Sequence, residues 1–102
     1  MKILYLQMFP LYGSGSGTYA RELAEEVAKK HEVAMVVPDK NGIKGIKKYQ
    51  VKLPVKIAFT GHPQWPDCAL YTKVGGRELS ANHLSYFQET VKAVNEFKPD
   101  II

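Results

Sequence analysis

The sequence predicts an α/β fold with a mostly parallel sheet and flanking helices, and three observations support this. An apolar strand at 2–8 is followed by a glycine-rich turn and an amphipathic helix. A second apolar strand follows at 33–37, which completes a βαβ unit with parallel strands. With 102 residues, the chain is long enough for one small domain.

The first helix begins in a glycine-rich run and is expected to extend to about residue 30. The run is Gly13-Ser14-Gly15-Ser16-Gly17-Thr18. Thr18 or Ser16 is the expected N-cap, because a side-chain hydroxyl can accept a hydrogen bond from a free backbone N–H group there. The first N–H groups of a helix have no partner within it and carry partial positive charge. The run therefore predicts a place for a phosphate or carboxylate at the end of the first strand.

The second half of the chain predicts one broken strand, a long irregular segment and a second helix. Residues 49–59 are extended but interrupted by Pro54, and residues 61–76 contain two prolines and a glycine pair. The helix is expected over 80–97, because apolar side chains recur there at helical spacing. These apolar positions are Leu84, Phe87, Val91, Val94 and Phe97.

After this helix the chain breaks at Pro99-Asp100 and continues as Ile101-Ile102, where the next central strand of a βαβα pattern would begin. We therefore expect a Rossmann-like domain truncated before its next central strand. The outer edge of the first strand would then be open, and two copies could associate through it.

Composition excludes several classes of protein. No apolar run is long enough to cross a membrane, and no signal peptide precedes the first strand, so a cytoplasmic location is expected. Cys68 is the single cysteine and cannot form an internal disulfide. His62, Cys68 and His83 lack the spacing of a zinc site, so no metal is expected.

The net charge of +4 is unevenly distributed. Residues 40–66 contain no acidic side chain but six lysines: Lys40, Lys44, Lys47, Lys48, Lys52 and Lys56. The favoured interpretation is a solvated loop and an exposed strand. An anionic acceptor or an acidic membrane surface is the alternative. Nucleic acid is not expected, because the stretch lacks arginine and has few aromatic side chains.

One candidate chemistry is binding of a dinucleotide such as NAD by an oxidoreductase. Gly15, Gly17 and Ala20 fit the looser form of the dinucleotide fingerprint, and Asp39 follows the second strand where a ribose-binding acid would lie. The connection over 7–14 is, however, longer than the tight turn of that motif. A P-loop is excluded, because no Lys-Ser or Lys-Thr pair follows the glycines.

A second candidate comes from resemblance. The sequence carries Met1-Lys2-Ile3-Leu4-Tyr5-Leu6, then Gly15-Ser16-Gly17-Thr18-Tyr19-Ala20-Arg21-Glu22-Leu23-Ala24, His31-Glu32-Val33, and Phe97-Lys98-Pro99-Asp100-Ile101-Ile102. Together these segments resemble the amino-terminal domain of a GT-B-fold glycosyltransferase, most closely family 4. Two features depart from the family pattern: Lys30 stands where a glycine usually precedes the histidine, and the sequence ends before the histidine that usually follows the last strand.

The resemblance implies a retaining, nucleotide-sugar-dependent enzyme of which residues 1–102 form part of the acceptor-side domain. The glycine-rich loop, Gly15, Ser16, Gly17 and Thr18, would face the cleft that holds the donor diphosphate and the acceptor. The carboxyl-terminal domain, with the nucleotide-sugar pocket and the main catalytic residues, would be the partner of this chain. No catalytic residue and no cofactor is therefore assigned here, and the chain alone is expected to be inactive.

Two further side chains are candidates for binding the substrate. His62 and Trp65 lie in a loop just after an extended segment, where α/β proteins often place ligand contacts. His62 could act as a base or bind an acceptor phosphate, and Trp65 could stack on a sugar ring. The favoured alternative is that both side chains pack this loop onto the sheet.

A third interpretation of the whole chain is a self-associating binding module without enzymatic activity.

Overall fold

The computed structural model describes residues 1–58 and 64–102, and its centre is a three-stranded parallel sheet. The strands, in spatial order, are β1 (Lys2–Leu6), β2 (Glu32–Val37) and β3 (Lys47–Gln50). Helix α1 (Gly15–Ala28) connects β1 to β2, and helix α2 (Gly76–Phe97) follows β3. The predicted α/β class, with a parallel sheet and flanking helices, is confirmed.

Strand β2 lies in the middle of this sheet and is its most buried element. Every residue from Val33 to Val37 is buried. Ile3 is in register with Val33 on one side, and Tyr49 pairs with Val36 on the other. A strand covered on both faces needs apolar side chains on both, which explains its unbroken run of apolar residues.

The two helices cover opposite faces of the sheet, because alternate residues of β2 belong to different core clusters. On the α1 face the buried cluster comprises Leu11, Ala24, Val33, Met35, Val37 and Ile43. On the α2 face it comprises Leu4, Ala34, Val36, Tyr49, Val51, Ala93 and Phe97. The period-2 alternation of strand side chains thus divides the core into two layers.

Helix α2 does not bury the whole apolar face that its sequence predicts. Leu84, Phe87 and Val91 are 55%, 66% and 41% exposed, whereas Ala93 and Phe97 are buried against the sheet. A small side chain such as that of Ala93 lets the helix axis approach the sheet closely. The helix is therefore rotated away from the face that its largest apolar side chains define, and three of these remain on the surface.

The boundaries of both helices differ from the sequence expectation. Helix α1 begins at Gly15 and its N-cap is Ser14 rather than Thr18 or Ser16. Helix α2 begins at Gly76, where Gly75 N–H donates to Glu78 Oε2 at 2.7 Å. The interaction with Glu78 supports a start four residues earlier than the apolar periodicity indicates.

The segment 49–58, predicted as part of one broken strand over 49–59, forms two strands in different sheets. Its first part belongs to β3, but the part after Pro54 forms β4 (Ile57–Ala58) in a separate sheet. The partner of β4 is β5 (Ala69–Leu70), which lies in the segment expected to be irregular and is followed by a short 3-10 helix, Tyr71–Lys73. Proline removes a backbone donor, which is consistent with the end of sheet pairing before Pro54.

A further residue pairs with β1 on the side away from β2. Ile101 forms a parallel bridge with Ile3, and Leu4 N–H donates to the Ile101 carbonyl at 2.9 Å. Lys2 N–H donates to Asp100 Oδ2 at 2.7 Å. Ile101 thus lies where the sequence predicts the beginning of a strand beside β1.

Candidate functional site

The connection from β1 to α1 is anchored by a buried carboxylate at the end of β2. Asp39 is 5% exposed, and its Oδ2 accepts a hydrogen bond from Leu11 N–H at 2.9 Å. Its Oδ1 accepts one from Asn41 N–H, also at 2.9 Å. Leu11 itself is buried, and Gly13 turns the chain with a φ of 87°. The connection is therefore fixed to the sheet before it reaches the helix.

The first turn of α1 uses some of its free N–H groups internally and leaves others open. Ser14 Oγ accepts from Gly17 N–H at 3.3 Å, and the Ser14 carbonyl accepts from the N–H and the hydroxyl of Thr18 at 3.0 and 2.9 Å. Gly15 and Ser16 are exposed and occupy the first two helical positions, whose N–H groups have no partner within a helix. These two amides are the ones an anion could reach.

Gly17 has a steric role that the sequence does not separate from a binding role. A Cβ on Gly17 would lie 2.3 Å from the Pro10 carbonyl oxygen and 2.9 Å from that of Leu11. A Cβ on Gly15 would meet nothing within 4 Å. Gly17 is buried because the helix start packs directly on the preceding connection, so close packing requires Gly17 and leaves Gly15 free to vary.

A polar recess, here called the basic cavity, lies at the carboxyl ends of β2 and β3. It has a volume of about 350 Å³, and its lining includes Lys40, Lys52, Lys56, Asp39 and Gln50. Ligand pockets in proteins commonly measure roughly 300–1,000 Å³. In open α/β sheets ligands bind outside the carboxyl ends of the strands, which is where this cavity lies.

A second recess, here called the apolar cavity, shares the Leu53 and Trp65 walls of the basic cavity. Its volume is about 50 Å³, so it holds little more than solvent. The Tyr86 hydroxyl, on its wall, donates to the carbonyl oxygens of Gln7, at 3.4 Å, and Met8. Burial raises the pKa of the Tyr86 phenol, so this group remains a hydrogen-bond donor.

The predicted site residues fall into separate groups. Gly15, Ser16, Gly17 and Thr18 form the start of α1, whereas Trp65 forms a wall between the two cavities. Trp65 is 5% exposed and its ring meets the Phe9 ring edge-on at 6.1 Å, so it packs against the β1–α1 connection. His62 lies outside the described residues.

The structure also gives Asp39 a role that differs from binding a ribose. Both of its carboxylate oxygens accept backbone N–H groups, so Asp39 serves to hold the β1–α1 connection. The lysines of the basic cavity, Lys40, Lys52 and Lys56, were absent from the predicted site. The sequence does show that residues 40–66 contain six lysines and no acidic side chain. The spacing of these lysines along the chain does not show which of them line the same cavity.

Neither a metal centre nor a membrane span is found within residues 1–58 and 64–102. No cluster of three or more histidine, cysteine or acidic side chains there could hold a metal ion. No helix in the same ranges combines the length and hydrophobicity needed to cross a bilayer.

Comparisons with protein-family models, curated proteins and solved structures find no match to this chain.

Proposed function

We propose that this chain is the acceptor-side, Rossmann-like part of a nucleotide-sugar-dependent glycosyltransferase. The observation that carries the proposal is the open start of α1 beside the carboxyl end of β1. Gly15 and Ser16 are exposed there, and their N–H groups have no partner within the helix, which Gly17 and Ser14 hold against the β1–α1 connection. The resemblance of the sequence segments to GT-B enzymes gives this arrangement its interpretation.

The proposed chemistry is transfer of a sugar from a nucleoside diphosphate to an acceptor. As the bond to the sugar breaks, negative charge develops on the departing diphosphate. Fixed N–H groups at a helix start stabilise such charge, and they do so most strongly when water is excluded. The role assigned to Gly15 and Ser16 is to offer these donors, while a second domain of the same protein would supply the nucleotide-sugar pocket and close the cleft.

Two alternatives receive less support from the geometry. An NAD-binding domain would use Asp39 for the ribose, but both oxygens of this carboxylate are already hydrogen-bonded to backbone amides. A self-associating module would use the outer edge of β1, where Ile101 already pairs with Ile3.

The test is a titration of the isotopically labelled chain with UDP-glucose, GDP-mannose and NAD, followed by amide chemical shifts. We expect the Gly15 and Ser16 amides to shift with a sugar nucleotide at millimolar concentration, because the helix start offers donors to the diphosphate even without the pocket of the second domain. Gly15→Pro removes one donor, and proline is well tolerated at the first helical position after an extended Ser14. Gly15→Ala is the matched control, because it keeps the N–H group and its Cβ meets nothing within 4 Å.

The proposal requires the Ser16 amide shift to weaken in Gly15→Pro, which has no amide proton at position 15, and the shifts of both amides to persist in Gly15→Ala. A response to NAD but not to sugar nucleotides would support an oxidoreductase instead. Concentration-dependent self-association in the ultracentrifuge, without any nucleotide response, would support a binding module. The chain alone is expected to transfer no sugar, so measurable turnover would contradict the assignment of catalysis to a second domain.

A further inference from the structure

The basic cavity combines three lysine side chains on two different connections of the fold. Lys40 follows β2, whereas Lys52 and Lys56 follow β3. Parallel strands bring their carboxyl ends to one edge of the sheet, so residues separated along the chain line one recess. The convergence is a consequence of the topology and not of one local run of basic residues.

The charge of this cavity is not neutralised by the residues around it. Within residues 1–58 and 64–102, no carboxylate forms an ion pair with Lys40, Lys52 or Lys56. Among the described residues of the lining, Asp39 is the one acidic side chain, and its oxygens accept two backbone N–H groups. Three ammonium groups and a single engaged carboxylate leave the recess positive, and a concave wall concentrates that potential.

We propose that the basic cavity binds an anion carrying two or more phosphoryl groups. Lysine binds phosphate as a compact point charge, and three lysines around one recess match a ligand whose charge extends over more than one phosphoryl group. The Gln50 side chain and the exposed Asn41 also line the recess and offer amide donors for uncharged oxygens. This site is separate from the helix start and does not depend on sugar transfer.

Trp65 provides the readout, because it is the single tryptophan of the chain and forms part of the cavity wall. The experiment is a titration with inorganic pyrophosphate and, separately, inorganic phosphate, followed by tryptophan fluorescence and by the ³¹P line width. We expect saturable binding, tighter for pyrophosphate, that weakens as salt is added.

Two triple variants with the same net charge separate a site from general attraction. In K40Q/K52Q/K56Q we expect the affinity for pyrophosphate to fall about tenfold or more, since each exposed charge contact contributes modestly. In K30Q/K44Q/K73Q, whose exposed lysines do not line the cavity, we expect the affinity to remain within about twofold of the parent chain. Circular dichroism and the urea midpoint check that both variants are folded.

Several results would overturn the proposal. Equal weakening in both triple variants would show long-range attraction only, and equal affinity for phosphate and pyrophosphate would exclude the multivalent ligand. No saturation in either signal at millimolar pyrophosphate would show that the cavity does not bind it. Loss of binding in Gly15→Pro, with retention in K40Q/K52Q/K56Q, would place the anion at the helix start. If the Gly15 and Ser16 amides do not respond to nucleotides, that result contradicts the glycosyltransferase proposal. It does not contradict pyrophosphate binding in the basic cavity, which is tested separately.

Discussion

Substitution of Gly17 by alanine tests whether the start of α1 depends on close packing. The added Cβ would lie 2.3 Å from the Pro10 carbonyl oxygen, and ordinary contacts begin near 3.4 Å, so the backbone must move by about 1 Å. The neighbouring connection cannot withdraw freely, because Leu11 is buried and its N–H group is bonded to Asp39. Steric strain must therefore appear either in the helix start or in this hydrogen bond.

The expected magnitude is a loss of about 2–3 kcal/mol in the free energy of unfolding. Overpacking costs about 1–3 kcal/mol, and weakening a hydrogen bond to a charged group adds about 1.5–3 kcal/mol where it occurs. The higher helix propensity of alanine offsets this loss in the free energy of unfolding by at most about 1 kcal/mol. For a domain of this size, the loss corresponds to a fall of roughly 10–20 °C in Tm.

Urea unfolding of the parent chain, Gly17→Ala and Gly15→Ala measures this difference. Gly15→Ala is the control, because it makes the same chemical change two positions earlier, where a Cβ meets nothing. We expect Gly15→Ala to remain within about 0.5 kcal/mol of the parent chain. Equal stabilities of the two variants would refute the steric argument, and so would a Gly17→Ala variant more stable than the parent.

Three further outcomes can be measured by the same unfolding assay. Asp39→Ala is expected to cost about 2–3 kcal/mol, because it leaves the buried Leu11 N–H group without its acceptor, and a loss below that of an average surface substitution would contradict this role. Ser14→Ala is expected to cost about 1 kcal/mol through loss of the N-cap, whereas Ser14→Asp keeps an acceptor oxygen and should cost only a few tenths; equal losses in these two variants would be inconsistent with a side-chain cap. Burial raises the pKa of Tyr86 above its ordinary value of 10.0, so the folded chain holds this proton more tightly than the unfolded chain. The resulting stability is present below about pH 10 and is lost as the pH rises beyond it, and Tyr86→Phe should show a shallower alkaline decline.

The parallel sheet could be predicted from the sequence because its signals are local. Val33–Val37 is an uninterrupted apolar run, and such runs in an α/β pattern indicate a strand buried on both faces. The glycine run likewise marked the start of α1. The glycine pattern does not predict which glycine is needed for close packing. Only the packed structure shows that a Cβ on Gly17 would meet neighbouring backbone, whereas a Cβ on Gly15 would meet nothing within 4 Å.

The face of α2 and the basic cavity could not be predicted, for related reasons. Apolar periodicity favoured Leu84, Phe87 and Val91, but the small side chain of Ala93 lies against the sheet instead. A large apolar side chain gains more free energy from burial than a small one. Its size does not show, however, how closely the helix that carries it can approach the sheet. The cavity depends on where two connections meet in space, which the order of the lysines along the chain does not encode.

The bridge between Ile3 and Ile101 has a consequence for the order of folding. The pairing joins residues almost a full chain length apart, whereas β1, α1 and β2 can pack using residues 2–37 alone. Contacts of large sequence separation close slowly, because the loop entropy must be lost before the contact forms. During synthesis from the amino terminus, β1 and β2 can therefore pair first. The outer edge of β1 then stays hydrated until Ile101 has left the ribosome and docks beside Ile3.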